Sequence, residues 1–479
     1  HHRCIMEDSA IKPPFLRRGS TQNIIAGVVA FCGPGLFNAL QGLGNAGGSE
    51  PSVSAAMNAT LYASFAVFGC LSGYFFNLFG PKILMTFGAL TYSFYAISVY
   101  LWGQVDDKFA PMAIVASAIL GLGAACLWGA QGTMTLSYAL ENQKGSFFGI
   151  FWFIFNLGGV IGGLIALGLN LNPDDDGQAV NPATYFTFCA LMGAGAVFAC
   201  IFVIRPSHVI KADGTAVVFE ESMGTSNSRE ELKEIGKLFT NKHMLLLTPL
   251  IIQSNWFYTY EFGGINGLLF DAPTRGLNSS IYWAISGISS YVIGVYYLDR
   301  EAIGGRRKRA IQGLILVSAI NIGQWIYALI WQFTTGYDKG NQPSPLISFR
   351  DGGSYAVPLL LFMYCGLADS IVQTYAYWII GAISNSPKQL SRYVGYYKGV
   401  QSLGACFAWI IEWQGALYKW QLVICFTLAV LFIPPTYVAA TSIKDKGTED
   451  DMKLLVENED SPAENVIEVK ELSVENEDS

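Results

Sequence analysis

Charge is scarce along this chain. Of its 479 residues only 14% are Asp, Glu, Lys or Arg, against about a quarter in a soluble domain. With 52% of the residues hydrophobic, that shortage excludes a water-facing globular body. Metal-ligating and nucleophilic groupings are missing as well. The 9 cysteines are scattered in apolar surroundings, without a CxxC or a Cys/His cluster, and read as small buried hydrophobes. The glycine-rich run GLGNAGG is followed by no Gly-Lys-Ser/Thr, so it is not a phosphate loop. No triad, metal set or nucleotide loop suggests an enzyme, and no cofactor or metal is expected. The net charge of −7 comes largely from the residues after Ile443, so the body offers nothing to nucleic acid.

What the chain has instead is length in apolar runs. A membrane-crossing helix needs about 20 mostly apolar residues, and twelve such segments are expected. They lie near 22–45, 53–79, 82–103, 110–138, 146–170 and 183–204, then 243–270, 277–298, 309–333, 354–384, 391–413 and 417–440. The 51 glycines suit helices that approach closely. This divides the chain into a cytosolic N-terminal piece (1–21), a six-helix bundle (22–204), a linker (205–242), a second six-helix bundle (243–440) and an acidic tail (441–479). The opening HHRCIMEDSA reads as a tag remnant or truncated start. No cleavable signal peptide is expected before segment one, which would itself direct insertion.

Basic residues give the orientation. With both termini in the cytosol, only Lys108, Arg275, Lys339, Arg350 and Lys419 of the 29 Lys and Arg fall outside, as the positive-inside rule requires. The loop NPDDDGQAVNP then faces outward.

The halves repeat each other. FFGIFWFIFNLGGVIGG in segment five aligns with YVGYYKGVQSLGACFAW in segment eleven, setting Gly149 on Gly395, Leu157 on Leu403 and Gly158 on Gly404. NALQGLGNAGG in segment one echoes YTYEFGGING in segment seven. After segment two, GYFFNLFGPK resembles the facilitator loop G-x-x-x-D-R-x-G-R-[RK]. Gly73, Gly80 and Lys82 match, while Asn77 and Leu78 replace Asp and Arg. After segment eight, GVYYLDREAIGGRRKR keeps Asp299, Arg300, Gly305, Arg306 and Arg307. Such a turn can latch neighbouring helices at their cytosolic ends, with Asp299 and Arg306 the leading pair. Lys308 and Arg309 read as plain positive-inside charge.

This duplicated build resembles the major facilitator superfamily. GLFNALQGLGNAGG and GSFFGIFWFIFNLGGVIGG are similar to the uncoordinated-93-like family within it, particularly its fungal branch, and the likeness runs from about Thr21 to Ala440. It implies an all-α membrane fold of twelve helices in two pseudo-repeats. Members of that family are described both as transporters and as accessory subunits of channels or receptors, so two functions stand open. The first is movement of a small solute or ion by alternating access, with a proton or cation as coupling ion. The second is service as a partner of another membrane protein. The PESPR-like run of sugar porters and the Gly-Pro pair of drug/proton antiporters are absent, which lowers both of those substrate classes.

The resemblance also implies that segments one, four, seven and ten line a central cavity. Each carries polar residues at helical spacing. These are Asn38, Gln41 and Asn45; Gln131, Thr135 and Tyr138; Ser254, Tyr258 and Glu261; and Asp369, Gln373 and Tyr377. A charge inside a bilayer costs about 2.5–3.5 kcal/mol on insertion scales. Glu261 and Asp369, with no obvious basic partner, are therefore candidate proton or cation sites. Lys398 and Glu412, near the ends of segment eleven, can snorkel. The glycines after Glu261 suggest a bend and an outer gate. The aromatics Trp256, Phe257, Tyr258 and Tyr260 could stack on an organic solute or cation.

The linker run NSREELKEIGKLF is amphipathic through Leu232, Ile235 and Leu238 and is expected on the cytosolic membrane surface. The sequon at Asn278 lies close to the membrane, which argues against glycosylation, and that at Asn58 falls within segment two. The tail repeats VENEDS, cannot bury a core, and is expected to be disordered. Its Asp450 and Leu454-Leu455 match an acidic dileucine sorting pattern. A multi-pass location follows, with the plasma membrane or an endomembrane both open.

Overall fold

The computed structural model describes residues 13–42, 50–169, 181–218 and 228–445. Asn45, most of the NPDDDGQAVNP loop, the acidic tail and the dileucine candidates Asp450, Leu454 and Leu455 lie outside them. Among the described residues the chain is helical, with four isolated β-bridges and no strand.

Ten helices there are long and apolar enough to cross a membrane: Gly19–Gly42, Pro51–Cys70, Ser72–Val105, Asp107–Tyr138, Lys144–Leu169, Pro182–Phe202, Ala272–Leu298, Arg306–Thr335, Gly353–Ile383 and Tyr418–Thr441. The other two expected segments are helical but outside that set. Segment seven runs as Lys242–Trp256 and then changes to a nine-residue π-helix, Thr259–Gly267. Segment eleven, Pro387–Trp413, carries Lys388, Arg392, Lys398 and Glu412 and is polar for its length. Segments two and three are parted at Gly80, whose φ of 73° is a left-handed conformation that glycine adopts without strain. Proline opens several helices at a first-turn position that leaves no N–H to satisfy, as at Pro51, Pro182 and Pro387.

The internal repeat holds in packing. A Cβ on Gly149 would meet Ser290 O of segment eight at 2.9 Å, and one on Gly395 would meet Cys70 O of segment two at 3.2 Å. Gly158 lies against the Phe31 carbonyl of segment one, and a Cβ on Gly404 would meet Ile252 O of segment seven at 2.8 Å. Matched glycines thus seat matched helices, backbone on backbone. Segment one also contains a π turn, Phe31–Gly35, with Pro34 inside it. Segment seven breaks in the same way after Trp256. The glycines after Glu261 lie in this π element, which begins before it at Thr259, and Gly263 and Gly264 there let the Tyr418 ring approach, a Cβ at Gly264 falling 3.0 Å from it.

The linker departs from its expected face. In the helix Ser228–Leu238, Ile235 and Leu238 are buried but Leu232 is 50% exposed. Glu231 takes the inward place instead, because Arg392 of segment eleven receives it with two hydrogen bonds of 3.1 and 2.8 Å. Asn278 is buried and hydrogen-bonded to Asn266 and Tyr355, and Asn58 is buried beside Gln41.

Candidate functional site

Two cavities lie between the halves. The larger, of about 560 Å³, has Asn38, Gln41, Tyr258, Arg275, Lys339 and Glu412 among its polar lining. The smaller, of about 60 Å³, reaches Gln373, Lys398 and Gln401. Phe37, Asn38, Tyr62 and Tyr258 belong to both. They form the partition between the two.

Glu261 and Asp369 sit just behind this lining, each 1% exposed. Asp369 accepts from Tyr258 Oη at 3.2 Å to both carboxylate oxygens, and from Gln373 Nε2 at 3.3 Å. Gln373 accepts in turn from Tyr397 Oη at 2.7 Å and Gln401 Nε2 at 3.0 Å. Lys398 Nζ donates to Gln401 Oε1 at 2.9 Å. Glu261 has a separate shell, with Tyr282 Oη and Gln324 Nε2 each donating at 2.8 Å. Both acids therefore have hydrogen-bond donors that compensate burial, as buried polar groups require.

Lys398 overturns its reading as a snorkelling residue. It is 4% exposed, and its ammonium lies 4.4 Å from the Trp128 ring centroid of segment four, 5.1 Å from Tyr397 and 5.3 Å from Tyr377. Three aromatic faces and one amide stand in for water around a cation. Trp128 and Gln401 had no distinguishing signal in the sequence. Lys398 had one, a Lys in the interior of an expected membrane segment. Glu412 does not snorkel freely either, since it accepts from Lys339 Nζ at 2.9 Å and Tyr418 Oη at 3.2 Å.

The remaining stripe residues divide. Gln41 donates to Asn58 at 2.9 Å and to Tyr95 at 3.3 Å at the edge of the larger cavity. Gln131 donates to Thr135, which donates to Asn23, in a buried neutral chain away from both cavities. Tyr138 is buried beside Gly19, and Tyr377 stacks on Phe148 at 4.3 Å. Of the aromatics around Glu261, Phe257 and Tyr260 are buried, Tyr260 donating to Gln332 at 3.0 Å, and Tyr258 faces the cavities.

The face opposite the larger cavity is closed by contacts between the halves. Asp299 accepts from Gly145 N at 2.9 Å, Ser146 N at 2.5 Å and Ser146 Oγ at 2.7 Å, capping the start of segment five. Burial raises the Asp299 pKa, and these donors together with Trp378 draw it back. Lys144 Nζ donates to Gly381 O, Ser384 O and Asn385 Oδ1 at 2.6–2.8 Å. Arg306 pairs with Glu141 rather than with Asp299. Arg309 is 4% exposed, donates to Leu298 O at 2.6 Å and lies over Trp378, so it is a structural cation and not mere positive-inside charge.

The loop after segment two is weaker. Gly73 packs on Ser391 and Gly80 makes the turn, but Asn77 forms no hydrogen bond among the described residues and Lys82 is exposed. Arg300 and Arg307 are exposed, and the Arg307 backbone N–H donates to Asp445 at 3.0 Å. The described residues contain no cluster of His, Cys, Asp and Glu able to hold a metal.

The model of the family described as "Ion channel regulatory protein UNC-93" matches residues 55–433. The chain is 38% identical to UNC93-like protein 1 of Arabidopsis thaliana over 86% of this chain and 87% of that one. It is 33% identical to an UNC93-like protein of Schizosaccharomyces pombe, covering 90% and 84%. In structure it is similar to a major facilitator proton:xylose symporter at a TM-score of 0.60 and 13% identity, covering 88% and 94%. That likeness establishes the fold.

Proposed function

The chain belongs to the UNC-93 family, and we propose that it crosses the membrane twelve times and moves a small solute or ion by alternating access, coupled to a proton held in the Asp369–Lys398 network. The observation that carries this is the continuous polar route between the halves. It runs from the larger cavity through Tyr258 to Asp369, then through Gln373 and Gln401 to Lys398, which ends against Trp128 of the other half.

A change of proton at Asp369 alters what Tyr258 and Gln373 can donate to. Gln373 shares its carbonyl between Tyr397 and Gln401, so it passes the change on towards the lysine. Loosening Lys398 from Trp128 would loosen one half from the other. With both termini and the linker in the cytosol, the larger cavity faces outward and the Asp299–Lys144 closure faces inward. Glu261 is a second candidate exchange site, one helical turn beyond Tyr258.

The test is proton uptake by liposomes holding the purified protein, with solute gradients imposed. Solute-dependent acidification is expected in the wild type, and its absence across a broad solute panel would overturn the reading. Labelling of intact cells by an impermeant thiol reagent checks the orientation. A cysteine placed in NPDDDGQAVNP should react and one in the linker should not.

A second reading, an accessory subunit of another membrane protein, is favoured by the family's description as a channel regulator. It predicts partner capture that survives Asp369→Asn and is lost on changing lipid-facing positions.

A further inference from the structure

We propose that the larger cavity takes an organic anion with a flat apolar body, its charge received by Arg275 and its body by the aromatic wall. Calling this anion a cargo rests on the transport reading above. The site itself rests on the cavity.

Three charged side chains line it: Arg275, Lys339 and Glu412. Two of them answer each other, Lys339 Nζ lying 2.9 Å from Glu412. That carboxylate also accepts from Tyr418 at 3.2 Å and Gln421 at 2.5 Å, so three donors, one of them a cation, already compete for it with any ligand cation. Arg275 is different. Its Nε is buried without a hydrogen-bond partner, and its guanidinium forms no ion pair among the described residues. Asp271, one turn earlier, attracts Arg275 electrostatically without forming an ion pair; it caps its own helix by accepting from Thr274 N at 2.9 Å and is not part of the lining. Glu261 and Asp369 stand behind the wall, bonded to their own donors.

An unsatisfied buried donor costs about 1–3 kcal/mol. A planar guanidinium fork matches a carboxylate or phosphate better than any other partner. Arg275 lines the cavity, so a ligand anion there would supply the ion pair that the described residues do not. Beside it, Phe262 and Trp283 stack at 5.6 Å with their planes 17° apart, and both face the cavity along with Trp413. A volume of about 560 Å³ holds a ligand of metabolite size. A cation would meet the positive charge of Arg275 and an acid already paired with Lys339.

The test uses purified wild-type protein and isothermal titration with three probes of one shape: 1-naphthoate, neutral 1-naphthamide and 1-naphthylmethylammonium. Naphthoate is expected to bind about ten-fold tighter than the other two, the scale of one charge-assisted contact. Arg275→Gln should erase that preference while leaving naphthamide affinity unchanged, and Arg275→Lys should keep part of it. Equal binding of the three probes by wild type, no binding by any, or unchanged naphthoate affinity in Arg275→Gln would each overturn the proposal. If Arg275→Gln fails to fold, the wild-type order alone decides. Binding is read without flux, so the two readings fail separately. Naphthoate bound but never exchanged across liposomes sinks the transport reading and leaves the anion site. Solute exchange without preference for the anion does the reverse.

Discussion

Away from the helix ends, the polar groups that reach the interior in segments one to six are neutral. Gln41 meets Asn58 and Tyr95, and Gln131 meets Thr135 and Asn23. In segments seven to twelve the corresponding depth holds Glu261, Asp369 and Lys398. Yet the matched glycines of segments five and eleven seat their helices in the same way. The two halves share this backbone packing and differ in the chemistry they hold. One half can act as a neutral frame while the other carries charge, provided they touch at a point that feels the charge. Trp128 over Lys398 is such a point.

The sharpest way to break this comparison is to neutralise each half in turn. Asp369→Asn or Lys398→Gln should reduce proton-driven flux by about a hundred-fold, with solute exchange surviving and membrane insertion intact. Gln131→Leu in the neutral half should change flux only a few-fold, about 1 kcal/mol or less. Liposome flux with matched protein amounts measures both, and equal collapse in the two halves would end the distinction.

The two loops offer a second comparison. Asp299 caps the other half with three donors, whereas Asn77 caps nothing among the described residues. Asp299→Ala should cost the closed state about 2 kcal/mol, roughly a 30-fold shift towards opening on that face. Accessibility of a cysteine introduced at Ser384 would report it. Asn77→Ala should leave that accessibility where it was.

Next come the crossings. A Cβ on Gly294 would run into the Gly145 carbonyl, and one on Gly399 would lie 2.8 Å from Cys70 N. Gly294→Ala and Gly399→Ala should each destabilise by about 1–3 kcal/mol in thermal unfolding. Gly193→Ala, whose nearest neighbour would be 3.7 Å away, should be neutral. A large loss at one crossing and none at the other would show that the repeat is only apparent.

The smallest effect is expected from the linker. Glu231→Gln removes the charge from a largely buried pair with Arg392 but keeps a hydrogen-bond acceptor there, at a cost of about 1 kcal/mol. Hydrogen exchange in Ser228–Leu238 should quicken accordingly, with flux unchanged within error.

Much of this was legible beforehand, for identifiable reasons. Apolar length gave the segments, and helical spacing selected Asn38, Tyr258 and Gln373, all of which reach a cavity. Gln131 and Tyr138 obeyed the same spacing but lie in closed packing. Period tells which face turns inward and not how wide the gap on that face is. Lys398 was misjudged because position along a helix suggested an escape to the surface. The ring that blocks the escape comes from Trp128, far away in sequence. Leu232 fitted an amphipathic stripe, but a buried ion pair one residue earlier fixed the rotation of that helix.

The Glu231–Arg392 pair has a mechanical consequence. Arg392 and Lys398 stand on one unbroken helix, about 9 Å apart along its axis at 1.5 Å per residue. A helix is stiff over that distance and transmits displacement as a rod. Tension applied to the linker would be delivered to segment eleven near its end and carried to the ammonium above Trp128. The linker is thus a lever arm on the buried charge, and a load on it has a direct line to the centre of the molecule.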